Sequence, residues 1–154
     1  MQRRIHSFRT REIAAGTLLI AGLAIAVPAH ARNTEQLYKI EQALDSVAGK
    51  QRLLRVPLYF YGQDRPEFGK VVLEVSSEQT RRGTLRTDEV ACQDAFLAAV
   101  VALQERAKQE KAAAIVDIVS ITKGEKTESA TEFRCIAGST IVHVGLRGKL
   151  VAAR

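Results

Sequence analysis

The sequence predicts an α+β domain in which one long helix packs across an antiparallel sheet of about four strands, with a short N-terminal helix beside it. Three stretches carry that prediction. Residues 88–110 are mostly apolar at helical spacing, and residues 113–122 are a β-branched run directly after them. In the last stretch Val142, Val144, Leu146 and Leu150 alternate with His143, Arg147 and Lys149.

The chain starts with Arg3, Arg4, Arg9 and Arg11, then an apolar run over residues 13–27, then Pro28 and Ala29-His30-Ala31. A basic region, an apolar run and an A-x-A site in that order read as a secretory signal peptide, residues 1–31, cleaved after Ala31. The apolar run of 15 residues falls short of the ~20 that a membrane-spanning helix needs. The residue directly after the cleavage site is Arg32 and not a cysteine, so a lipid anchor is not expected. The remaining chain, residues 32–154, is expected to form a single domain. Four arginines and Glu12 leave with the signal, so the formal net charge falls from +6 to +3. That removes most of the basic character that would suggest nucleic acid, and no nucleic-acid partner is expected.

In residues 33–54, Leu37, Ile40, Leu44 and Val47 share a helical face, with Gly49 as a stop. Val56, Leu58 and Phe60 alternate as a strand, Pro57 being tolerated near its start or on an edge. Residues 62–66 form a turn, and Val71, Leu73 and Val75 mark a second strand that makes a hairpin with the first. Residues 76–86 are a polar connection carrying Arg81, Arg82 and Arg86. In the long helix Thr87 is the N-cap, and Asp88 and Glu89 complement the positive end of the dipole. Cys92, Phe96, Ala99, Leu103 and Ala107 form its buried face, and Val90, Leu97, Val100 and Val101 widen the arc, so the helix needs cover on two sides. The short break after it sends the β-branched strand back along it.

Residues 123–138 are polar and turn-rich, and lie between the central and final strands. With those strands antiparallel, this segment falls at the end of the sheet where the long helix begins. Cys92 and Cys135 are thereby brought together, and an oxidising compartment lets a disulfide persist. The alternative is a redox thiol pair, since a helix N-terminus lowers a cysteine's pKa, although no C-x-x-C is present.

Most chemistries are excluded by residue count. His143 is the only histidine outside residues 1–31, which leaves no zinc set; no metal and no cofactor are expected. Ser139 and His143 have no acid placed to complete a triad. No G-x-x-x-x-G-K-[ST] occurs, so the chain is not an ATPase. Asp117 interrupts an apolar strand and marks its solvent side, the alternative being a buried functional carboxylate. Arg81, Arg82 and Arg86 precede the positive end of the helix and are the candidate anion ligands.

Residues 89–97 (EVACQDAFL), the following Ala-Leu-Gln-Glu-Arg-Ala, Ile115-Val-Asp-Ile and Glu132-Phe-Arg-Cys-Ile-Ala-Gly resemble a group of small exported proteins of Gram-negative bacteria. Their function is unknown, and they are often labelled "excinuclease ATPase subunit". The likeness runs from about Ile40 to Val151, and includes Tyr59-Phe60-Tyr61-Gly62 and the terminal Val-Gly-Leu-Arg-Gly. Where that group has a Gly pair after the helix, this chain has Lys111-Ala112-Ala113. More distantly, helix, strand and closing strand are similar to a small bacterial family described as heavy-metal-binding. They are also similar to the periplasmic domain of the lipoprotein that senses stress for the Rcs phosphorelay. These likenesses imply a fold, and no functional residue is carried over from them.

The expected function is a non-enzymatic periplasmic module that binds an envelope protein or component, in envelope maintenance or stress sensing. The alternative is a small-ligand or anion binder using Arg81, Arg82 and Arg86. Thiol redox chemistry at Cys92 and Cys135 ranks third.

Overall fold

The computed structural model describes residues 33–154; the expected signal segment and Arg32 lie outside the described residues. Ten elements follow one another: β1 (Asn33–Lys39), α1 (Ile40–Asp45), α2 (Val47–Arg52), β2 (Leu58–Phe60), β3 (Val71–Arg82), α3 (Asp88–Gln109), β4 (Ala114–Thr122), β5 (Glu125–Thr127), β6 (Glu132–Gly138) and β7 (Ile141–Val151). The α+β class stands, but the antiparallel sheet of about four strands does not. The sheet has seven strands, is mixed, and curls into a half-barrel around α3.

β7 is the strand on which the sheet is built. β3 pairs antiparallel with it along its whole length, from Arg82 opposite Ile141 to Val71 opposite Val151. Its other edge is shared by β6, through Ile136 and Ala137, and β4, through residues 114–120. β1 then lines β6 and β2 lines β4, the latter in parallel. β5 folds back on β4 through a two-residue turn in which Lys123 and Gly124 have φ of 50° and 81°, the twist that suits a tight hairpin.

α3 lies in the concavity. Thr87 caps it, its hydroxyl accepting from the Val90 amide at 3.3 Å. The expected face is fully buried, with Phe96 stacked on Phe133 of β6 at 4.1 Å and on Phe60 of β2 at 5.9 Å between centroids. Ala91, Ala95 and Ala99 carry no bulk on this face, which lets the sheet approach the helix. The second side is covered by α1, α2 and the segment after them, with Leu44, Leu53 and Val56 packed on the core. A smaller cluster on the convex face, Ala114, Val116 and Val151, is covered by Tyr59 and Phe68.

Four local expectations are corrected. The first part of the expected N-terminal helix is strand β1, because the free edge of β6 supplies seven residues of pairing that outweigh a weak helical period. The expected hairpin over residues 56–75 does not form: β2 pairs parallel with β4 and β3 pairs with β7. A parallel partner is set by the crossover through α3, which local alternation does not encode. Residues 76–82 of the expected polar connection are strand, since β7 continues beside them and holds their backbone. Residues 123–138 contain β5 and β6, with Phe133, Cys135 and Ala137 facing the core.

Candidate functional site

Cys92, in the second turn of α3, and Cys135, in the middle of β6, are joined by a disulfide with a Cα–Cα distance of 5.9 Å. Both residues are fully buried among the core side chains. The bond ties the start of the helix to the strand beneath it. An attacking thiolate has no path to either sulfur from solvent, which is the access that exchange chemistry requires.

The three candidate arginines separate. Side chains alternate along β3, and Val75, Ser77, Gln79 and Arg81 turn toward the inner face while Arg82 lies on the exposed outer face with Glu74, Ser76, Glu78 and Thr80. Arg81 and Arg86 converge, but on a carboxylate of the chain itself: Asp94 in α3 receives Arg81 at 3.6 Å, Arg86 at 3.5 Å and Arg52 of α2 at 2.5 Å. Three guanidinium groups thus surround one carboxylate. Neither Arg52 nor Asp94 was singled out in the sequence, where each reads as ordinary surface charge on a helix.

Asp117 is half-buried on the convex face and pairs with Lys149 at 3.1 Å and Arg65 at 3.5 Å. It sits at a bulge, where Asp117 and Ile118 together oppose Gly148, and its φ is 53°. The bulge turns Ile118 into the core while Asp117 stays outside. A Cβ on Gly148 would stand 2.8 Å from Ile115 Cγ2, so only glycine fits there. Around Asp117 a shallow concavity of about 300 Å³ holds Glu74, Lys126, Glu128, Arg147 and Lys149, charges of both signs paired with one another. A larger open groove of about 740 Å³ runs beside α1, between Lys39, Leu44, Asp45, Gln63 and Thr131. His143 lies on the outer face of β7, 3.5 Å from Glu78. Among the described residues no group of His, Cys, Asp and Glu is placed to hold a metal ion, and no helix is long and apolar enough to cross a membrane.

The feature that remains open is the outer edge of β3. The Gly83 amide donates to Thr140 O at 2.9 Å, just beyond the Arg82–Ile141 pair. Since antiparallel strands alternate in the direction of their backbone groups, the amides of residues 75, 77, 79 and 81 point to β7. Those of residues 74, 76, 78, 80 and 82 point away from it. Thr80 O, on that open edge, is met by the Arg81 guanidinium at 2.7 Å. Among the described residues β3 pairs with β7 alone. Val71, Val72 and Leu73 at its start are exposed. No family model, curated protein or solved structure matches this chain.

Proposed function

We propose that the protein is an exported, non-enzymatic module that binds an extended segment of an envelope protein along the outer edge of β3. The observation that carries this is the length of open edge on a strand of 12 residues, which is enough main chain for strand addition. Alternate backbone groups supply the affinity, and the apolar start followed by Glu74, Glu78 and Arg82 supplies the selectivity. The buried disulfide supports an oxidising address. The likeness to small exported Gram-negative proteins, and more distantly to the Rcs lipoprotein domain, supports the periplasm and a role in envelope maintenance or stress sensing.

The test uses the direction of the backbone groups. A photo-crosslinking residue at Thr80, in cells making the full chain, should give a discrete adduct with an envelope protein. Ser76→Pro removes only an outward-facing amide, so it should abolish the adduct while leaving the melting temperature nearly unchanged. Adducts that survive Ser76→Pro, an absence of adducts, or an adduct consisting of a second copy of this chain would each overturn the reading.

A further inference from the structure

The outer face of the sheet carries charge of alternating sign from strand to strand, and the alternation stops at the open edge of β3. Asp117 of β4 pairs with Lys149 of β7 at 3.1 Å. Lys149 stands opposite Glu74 of β3 in the ladder, and Arg147, two residues before it, meets the Glu74 carboxylate at 3.6 Å. Further along β3, Glu78 stands opposite Gly145 and meets His143, again two residues before its opposite number, at 3.5 Å. The order across the sheet is thus acid on β4, base on β7 and acid on β3.

No side chain can stand at residue 145, because a Cβ there would run into Ile121 O. Glu78 therefore has nothing directly across from it on β7, and Lys149, across from Glu74, is engaged by Asp117. Both glutamates are met only on the diagonal, where cross-strand neighbours lie farther apart. Their side chains stay 55% exposed at Glu74 and 69% at Glu78. A carboxylate offers two oxygens with about four acceptor positions, so each can take a second basic partner from its far side. The outward amides of β3 belong to the residues whose side chains form this row. A strand added there sets its own side chains directly opposite Glu74, Glu78 and Arg82. Arg82 ends the row with the sign reversed, across from Ile141, which offers it no charge.

We propose that the segment received by β3 is a basic one. It is an extended stretch of an envelope protein with two lysines or arginines four residues apart, opposite Glu74 and Glu78, and an acidic residue four further on, beside Arg82. The inference rests on the reading of β3 as a strand-addition edge and names what that edge selects. Opposite charges directly across a ladder stabilise it and like charges destabilise it, so the same row turns away acidic segments. It also disfavours a second copy of this chain. The antiparallel register that sets Glu74 opposite the copy's Arg82 also sets Glu78 opposite the copy's Glu78.

Fluorescence anisotropy with short, labelled, threonine-rich peptides tests it. A peptide with two lysines four residues apart should bind the protein about tenfold more tightly than the same peptide with glutamates at those positions. Glu74→Gln with Glu78→Gln should remove the preference, and Glu74→Lys with Glu78→Lys should reverse it. Ser76→Pro should abolish the binding of either peptide. Equal binding of the two peptides, lost in both cases with Ser76→Pro, would overturn the basic segment and leave the open edge standing. A lysine preference that survives Ser76→Pro would overturn it too, by showing attraction to the surface without strand addition. Binding of neither peptide would overturn the edge reading and this inference together.

Discussion

Gln104 shows how much one polar side chain holds in this fold. It is 1% exposed on the apolar helix α3. Its side-chain oxygen accepts from the Leu54 amide at 2.9 Å, and its nitrogen donates to Leu54 O at 2.8 Å and Val56 O at 2.9 Å. The side chain thus acts as a short piece of sheet, docking the segment between α2 and β2 onto the helix. Gln104→Leu keeps the volume and leaves three backbone groups without partners, so it should destabilise the protein by about 2–4 kcal/mol, read as a lower urea midpoint at constant slope. A loss below about 1 kcal/mol would mean that water replaces the glutamine. In the sequence Gln104 is a polar position on a long helix, and nothing local names partners about fifty residues upstream. Residues whose role rests on their own helix or strand, such as Thr87 at the cap or Phe96 on the buried face, were legible. Those whose partners are distant, such as Gln104 and Asp94, were not.

At the scale of the element, the turn out of α3 is governed by Lys111. Its amide donates to Lys108 O at 3.1 Å, and the Ala112 amide donates to Ala107 O at 2.9 Å. This pair of bonds closes a helix end with the next residue in the left-handed region, where glycine is usual. Here that residue is a lysine with φ of 52°. Lys111→Gly should therefore stabilise the protein by about 1 kcal/mol, while Ala112→Gly, as a control, should not. An unchanged or lower urea midpoint for Lys111→Gly would show that the lysine side chain makes compensating contacts. The helix, its return strand β4 and the final strand β7 were readable because burial imposes a period on each. β3 was readable only to Val75. Beyond it the inner positions are Ser77, Gln79 and Arg81, which face the polar first turns of the helix and leave no apolar alternation.

The whole molecule is a sheet wrapped around one helix and fastened to it by Cys92–Cys135. Closing that loop, with a sequence separation of 43, stabilises by about 4 kcal/mol on the chain-entropy view. The disulfide was expected from the order of helix and strands, although Cys135 lies within strand β6 and not in a polar segment beyond the end of the sheet. The number of strands was not, because β1, β2 and β5 are outlying strands, two of them only three residues long, whose partners are fixed by the completed sheet. Binding along β3 requires that it be a full-length strand, held by β7 on one side and open on the other. Residue-resolved hydrogen exchange of the free protein tests it most directly. The amides of Val75, Ser77, Gln79 and Arg81 should be protected, and those of Glu74, Ser76, Glu78, Thr80 and Arg82 should exchange rapidly. Protection at all nine would mean that the edge is already covered, and protection at none from Ser76 onward would mean that this stretch is a loop; either result would rule out an open strand edge here.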